Sequence, residues 1–156
     1  MNLSRTSTLL ATLSAQVKAL NLDIFVQNCL AQYLAVVFYS EMEERIAEII
    51  SHRLQEYTSS PIGLFLSSNM EKIIRRTQKS DLAELLNVFG EGFKTSFNTK
   101  VQETDVSIYS NVITARHNVG HRQGSNITLA EIEKAVQSAN KILEALHRCF
   151  DDAKTI

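Results

Sequence analysis

The chain has 156 residues, of which 44% are apolar and 21% charged, with one proline and five glycines. This composition excludes a disordered chain, and so few turn-forming residues exclude a strand-rich protein with many tight turns. The formal net charge of −1 excludes a field over the whole molecule that would attract nucleic acid, so any phosphate binding has to be local. We predict one domain over residues 1–156, built from a few long helices.

Two helices are predicted in the first third of the chain. Apolar residues recur at helical spacing over residues 3–20, and residues 24–57 contain neither proline nor glycine. A helix of about 30 residues is about 45 Å long, so we expect the second helix to be the spine of a bundle. Its first half is apolar nearly all round, which predicts burial on several sides with Tyr33, Phe38 and Tyr39 in the core, and its acidic second half is expected to be partly exposed.

The middle of the chain is less regular. We predict short helices over residues 70–79 and 81–89, followed by a polar surface loop over residues 98–103. In the first of these helices, four cations at i, i+3, i+4 and i+7 share one face: Lys72, Arg75, Arg76 and Lys79. This stripe is either an ordinary solvated face or a set of phosphate contacts whose affinity for RNA falls with salt.

The last two helices are the best defined. Asp105 is a candidate N-cap for the first of them, and Thr128 and Glu131 have the spacing of a capping box for the second. In the final helix, apolar residues alternate at intervals of three and four: Leu129, Ile132, Val136, Ala139, Leu143, Leu146 and Phe150. This seam packs either within the bundle or against a partner. The predicted architecture is an all-α bundle of about four main helices plus short helices.

An arginine and a histidine, Arg116 and His121, lie near the end of the penultimate helix with four residues between them. Arginine supplies a permanent cation and histidine moves protons near neutral pH, and cleavage of an RNA phosphodiester needs both. Residues five apart on a straight helix point about 140° away from each other. We therefore expect the last turn to relax around Gly120, so that both side chains reach one phosphate. The plain interpretations are a surface or ion-paired arginine and a histidine that interacts with the helix end.

We predict no metal and no cofactor. His117 and His121 have a spacing that binds transition metals, but no glutamate of an HExxH motif lies between them, and Arg116 would repel a cation. The two cysteines, Cys29 and Cys149, match neither a metal spacing nor a disulfide framework, which favours a reduced, cytoplasmic setting. No apolar window is long enough for a membrane span, so we expect no membrane partner.

Residues 116–121 resemble the signature motif of the HEPN superfamily, which is an arginine, a polar residue, three further residues and a histidine. The long apolar helix with an acidic second half is similar to the second helix of these domains, and the pattern over residues 24–150 most resembles the RiboL-PSP-type branch. The resemblance implies a metal-independent endoribonuclease, commonly a toxin or an antiviral effector. It also implies a homodimer in which motif residues of both chains line one cleft.

The resemblance assigns roles to individual residues. His121 would activate the ribose 2′-hydroxyl as general base or acid, and Arg116 would hold the scissile phosphate. His117 stands at the polar second position of the motif, where it would orient the site or share proton transfer. Glu41 lies where some relatives carry a helical acidic residue. The implied partners are RNA, a second copy of the chain, and a cognate antitoxin or effector subunit.

A non-catalytic interaction module is the main alternative. In that case the seam of the last helix would mediate dimerisation or docking of a partner subunit, and Arg116 and His121 would be remnants or a nucleotide-binding pair. A purely structural bundle would leave this pair unexplained. A shared cleft for the two side chains favours catalysis, and burial of either one in an ion pair disfavours it.

Overall fold

The computed structural model describes residues 2–55, 60–61, 63–65, 77–121 and 125–152. Within these ranges all regular structure is helical, which confirms the predicted all-α class. The main helices are α1 (Ser4–Leu20), α2 (Ile24–Gln55), α3 (Lys79–Phe89), α4 (Glu91–Lys100), α5 (Glu103–Gly120) and α6 (Leu129–Asp152). The long helices α1, α2, α5 and α6 form the bundle, and the short helices α3 and α4 pack against each other. In the described ranges, every helix is too short or too polar to cross a membrane.

Helix α2 is the spine of the bundle, as predicted, because α1, α5 and α6 all pack against it. Its 32 residues span about 48 Å at about 1.5 Å per residue. The expected burial of its first half on several sides is wrong for one face, where Phe25, Tyr33 and Val36 are 73%, 58% and 41% exposed. Three packing helices cover the other faces of α2, and this face meets solvent.

The N-terminus of α1 is capped by a side chain from α2. Glu41 is buried, and its carboxylate accepts hydrogen bonds from the N–H groups of Arg5 and Thr6 at 3.0 and 2.7 Å and from the Thr6 hydroxyl at 2.6 Å. Burial alone would raise the pKa of Glu41, but the hydrogen bonds from Thr6 and Arg5 outweigh it and lower the pKa. The N–H of Leu3, a fully buried residue, donates to Oδ1 of Asn140 on α6 at 3.1 Å. These bonds tie the start of α1 to both α2 and α6.

The start of α6 confirms the predicted capping box. The N–H and hydroxyl of Thr128 donate to Oε2 of Glu131 at 2.8 and 2.7 Å, and the N–H of Glu131 donates back to the Thr128 hydroxyl at 3.2 Å. The seam of α6 lies in the core, with these members buried: Ile132, Val136, Ala139, Leu143, Leu146 and Phe150. Because α6 packs against α1, α2, α4 and α5, the seam serves the bundle and not a partner.

The predicted surface loop over residues 98–103 is confirmed only at residues 101–102, and the rest of the range is helical. Helix α4 extends to Lys100, and α5 begins at Glu103. Gly92 and the hydroxylated and amide residues of this segment have low helix propensity, which is why the sequence suggested a loop. Tertiary packing outweighs that propensity, because Phe97 is fully buried and the ring of Phe93 lies 5.5 Å from that of Phe150 on α6.

Asp105 joins α5 to α6 instead of capping α5. It lies inside α5 and is buried, and its Oδ1 accepts hydrogen bonds from the Ser138 hydroxyl at 2.9 Å and from Nζ of Lys141 at 3.0 Å. These bonds fix the helix that carries Arg116. The helix predicted over residues 70–79 lies mostly outside the described residues.

Candidate functional site

Arg116 lies near the end of α5 and is half-buried against α2. Its guanidinium carbon Cζ is 4.2 Å from the centroid of the Tyr39 ring, the distance of a cation–π interaction. Within the described residues Arg116 belongs to no ion pair, so its charge has no acidic partner there. The interpretation of Arg116 as an ion-paired residue therefore finds no support in this part of the chain.

His117 and His121 lie one helical turn apart, and both side chains are exposed. Their ring centroids are 4.3 Å apart, and the ring planes meet at 59°. The N–H of His121 donates to the carbonyls of His117 and Asn118, both at 3.1 Å, which holds residue 121 against the last turn although its φ of −94° and ψ of 13° are not helical. The relaxation expected around Gly120 is wrong, because α5 includes this residue and its φ is not left-handed. The end of α5 thus presents two imidazoles side by side.

A cavity of about 330 Å³ adjoins Arg116. Its lining includes Tyr39, Thr77, Gln78, Ile113, Arg116 and His117. The hydroxyl of Tyr109 donates to the carbonyl of Thr77 at 2.7 Å, and the Tyr109 ring is fully buried 5.8 Å from that of Phe38. The core therefore fixes Thr77, which forms part of the cavity wall and lies just before α3 in the chain. The volume falls at the small end of the range of about 300–1,000 Å³ for ligand pockets.

His121 does not line this cavity and so does not share it with Arg116. His117 lines the cavity, and the ring of His121 contacts the ring of His117. The structure therefore groups Arg116, His117 and Tyr39 around one cavity and places His121 against that group. The three residues of the predicted catalytic set lie within residues 116–121, with Arg116 and His117 in the last turns of α5 and His121 directly after it.

Tyr39 was expected in the core and instead supports the site. Burial raises the pKa of its hydroxyl, the negative charge of Glu43 raises the pKa further, and the positive charge of Arg116 opposes both effects. The hydroxyl is therefore protonated at neutral pH. Phe38, the neighbour of Tyr39 in the sequence, is fully buried as predicted.

The other predicted residues have different surroundings. Glu41 does not line the cavity, and its carboxylate is occupied by the first turn of α1, so the structure gives no support to substrate binding by this residue. Lys79 is the first residue of α3, and its Nζ lies 4.0 Å from Oε1 of Glu103, an exposed acidic residue. Three members of the cationic stripe lie outside the described residues: Lys72, Arg75 and Arg76.

No cluster of three or more metal-ligating side chains occurs in the described part of the chain. His117 and His121 form a pair without a third histidine, cysteine or carboxylate beside them there. The chemistry that this group offers is a fixed cation next to two groups that transfer protons.

Tyr39, Thr77 and Gln78 are site residues that sequence reasoning missed. A tyrosine in an apolar helix has the same pattern as a core residue, and the pairing of α2 with the end of α5 is a long-range contact. The one available signal was the polar end of the Tyr39 side chain within an otherwise apolar run. Thr77 and Gln78 precede α3 and carried no local signal.

Comparison with protein families gives one finding. The model of the family described as RiboL-PSP-HEPN matches residues 2–152 of the chain. Comparison with curated proteins and with solved structures gives no match.

Proposed function

Because the chain belongs to the RiboL-PSP-HEPN family, we propose that it is a metal-independent endoribonuclease that cleaves RNA through the ribose 2′-hydroxyl. The observation that carries the proposal is the group at the end of α5, where Arg116 lies beside the paired rings of His117 and His121. These residues occupy the first, second and last positions of the motif that resembles the HEPN signature.

The two imidazoles supply the two proton transfers of the reaction. His121 takes the proton of the 2′-hydroxyl while the 2′-oxygen forms a bond to phosphorus. The bond from phosphorus to the 5′-oxygen breaks, and His117 donates a proton to this leaving oxygen. The products are a 2′,3′-cyclic phosphate and a 5′-hydroxyl, and no metal is needed. Each positioned acid or base typically contributes a factor of about 10² to 10⁴ in rate.

Arg116 binds the scissile phosphate in this proposal. Its guanidinium stays charged at any relevant pH and matches the geometry of phosphate oxygens. Stacking on Tyr39 holds the side chain beside the cavity that His117 also lines. The cation is then in place to stabilise the negative charge that develops in the transition state, an effect worth a factor of about 10² to 10³ per donor.

A homodimer is part of the proposal, with motif residues of both chains in one cleft. The exposed apolar face of α2, defined by Phe25, Tyr33 and Val36, supports this assembly because soluble monomers rarely expose contiguous apolar patches. We assign the protein to a toxin–antitoxin or antiviral defence system, with RNA as substrate. A cognate antitoxin or effector subunit would then hold the activity in check.

The test is RNA cleavage by the purified protein in excess EDTA. We expect chelator-resistant cleavage with cyclic-phosphate ends, and a loss of at least about a hundredfold in Arg116→Ala and in His121→Ala. His52→Ala is the matched control, because His52 is an exposed histidine on α2 that does not line the cavity. Circular dichroism checks that each variant is folded.

Other outcomes would redirect the proposal. Cleavage that survives both substitutions points to a contaminant or another site. A parent protein that is inactive on varied RNAs favours the interaction module. That module would have to use a surface other than the α6 seam, which is buried in the bundle.

A further inference from the structure

The pair formed by His117 and His121 has a geometry that also suits a second role, the binding of a metal ion. Residues at i and i+4 lie on one face of a helix, and histidines at this spacing are known metal ligands. The N–H of His121 bonds to the carbonyl of His117, which keeps residue 121 in helical register although α5 ends at Gly120. The two imidazoles therefore face the same region of solvent.

The separation of the rings is slightly shorter than that of two imidazole ligands on one ion. A zinc–nitrogen bond of about 2.0–2.1 Å places the centre of an imidazole about 3.2 Å from the metal. Two such ligands at octahedral or tetrahedral angles have ring centres about 4.5–5.2 Å apart. The observed centroids are 4.3 Å apart, with the planes inclined at 59°. The exposed side chains would have to move apart by about 0.2 Å to reach the octahedral geometry and by about 0.9 Å to reach the tetrahedral one.

The objection that Arg116 repels a cation is weaker in the structure than in the sequence. Successive residues of a helix point about 100° apart, and the Arg116 guanidinium lies over Tyr39 on α2. In addition, the carbonyl end of a helix carries a partial negative charge, and both histidines lie in or next to the last turn of α5. The helix end therefore offsets part of the repulsion from Arg116, which lines the same cavity as His117.

We propose that His117 and His121 together bind a transition-metal dication of the Zn²⁺ class, and that the ion inhibits the protein. Imidazole nitrogen suits Zn²⁺, Ni²⁺ and Cu²⁺ but not Mg²⁺, which requires oxygen ligands. The inhibition rests on the proposed function: an imidazole that coordinates a metal has no lone pair left to accept the proton of the 2′-hydroxyl. The same two residues thus allow cleavage without a metal ion and also make cleavage sensitive to inhibition by one.

Calorimetry of the full chain tests binding without reference to activity. Titration with ZnCl₂ or NiCl₂ is expected to show one ion per chain, and MgCl₂ is expected to give no heat of binding. Both His117→Ala and His121→Ala should weaken binding by at least about tenfold, since loss of even an outer-shell partner of a ligand costs that much.

Two control variants separate this pair from the other histidines. His52→Ala removes an exposed histidine from α2, and His147→Ala removes an imidazole whose Nδ1 lies 3.0 Å from Oδ2 of Asp151. Neither should change the affinity. A second readout needs no variant, because paramagnetic Ni²⁺ should broaden the NMR signals of two of the four imidazoles at the same ion concentration.

Loss of binding in both variants, with cleavage by the parent reduced by Zn²⁺ and restored by EDTA, supports the proposal. Absence of binding by the parent, or unchanged affinity in His117→Ala and His121→Ala, overturns the metal site. Binding as expected with unaffected cleavage overturns the inhibition. A chain that binds Zn²⁺ through this pair but cleaves no RNA would refute the nuclease and leave the metal site standing.

Discussion

Tyr39 offers the sharpest test of the site, because the sequence alone did not distinguish it from a core residue. We expect Tyr39→Leu to weaken cleavage by removing the ring on which Arg116 stacks. A cation–π interaction contributes about 0.5–1 kcal/mol at an exposed site and about 2 kcal/mol when desolvated. Arg116 is half-buried, so we expect a loss of about 1–2 kcal/mol, which corresponds to a decrease of about 5- to 30-fold in kcat/KM.

The matched control is Tyr39→Phe, which keeps the ring and removes only the hydroxyl. This variant should retain cleavage to within about threefold of the parent, because phenylalanine also binds cations on its face. The assay is cleavage of a fluorescently labelled RNA in excess EDTA, at substrate concentrations far below KM. Thermal unfolding of each variant shows whether a loss of activity reflects loss of the fold.

A double-mutant cycle tests whether Tyr39 acts through Arg116. In an Arg116→Ala background, Tyr39→Leu should produce no further decrease, because the cation that it positions is already absent. Additive losses would refute the reasoning and give Tyr39 an independent role. An equal loss in Tyr39→Phe and Tyr39→Leu would refute it differently, by showing that the hydroxyl matters and the ring does not.

Two further predictions concern stability and assembly. Glu41→Gln should lower the free energy of unfolding by about 2 kcal/mol at neutral pH, since the amide keeps only one acceptor oxygen. Either the bond from Arg5 or the bonds from Thr6 are lost, and those that remain are no longer charge-assisted. The folded-state pKa of Glu41 lies below its usual 4.5, so this contribution is complete above pH 4.5 and disappears as the pH falls through the lowered pKa. Urea denaturation at pH 7 and at lower pH checks this, and a difference between parent and variant that persists in strong acid would contradict it. Phe25→Asp or Val36→Glu should weaken the proposed homodimer by at least about 2 kcal/mol, or about 30-fold, because each buries a charge in the apolar face of α2. Sedimentation velocity measures this, and an unchanged dissociation constant would place the dimer interface elsewhere.

Local patterns in the sequence predicted most of the fold. Helices α2 and α6 have long apolar periodicities, and α6 also has a capping box that involves only Thr128 and Glu131. Helix α4 was missed because its stability comes from distant contacts. Phe93 and Phe97 belong to a segment of low helix propensity, and their packing against residues such as Phe150 on α6 is invisible to a local pattern.

The site was predictable in its residue types but not in its arrangement. The spacing of Arg116 and His121 identified the residues, and the expectation was that a relaxed last turn would aim both at one phosphate. In the structure α5 is helical as far as Gly120, His121 packs beside His117, and Arg116 stacks on Tyr39. The outcome depends on the backbone hydrogen bonds of the His121 N–H at the helix end and on a contact between α2 and α5, and neither has a signature in the spacing of the motif.

The hydrogen bond from Leu3 to Asn140 has a consequence for the order in which the protein assembles during synthesis. It joins residues 137 positions apart, and closing a flexible loop of that length costs about 4 kcal/mol beyond the constant term. Helix α1 is synthesised before α2 and α6, yet one of its two anchors does not exist until α6 has been made. The carboxylate of Glu41 is available much earlier, so α1 can dock on α2 while the rest of the chain is still being translated. Helix α5, which carries Arg116, must likewise wait for α6 to bury its inner face. The complete bundle, and with it the candidate site, therefore forms only after α6 has been synthesised.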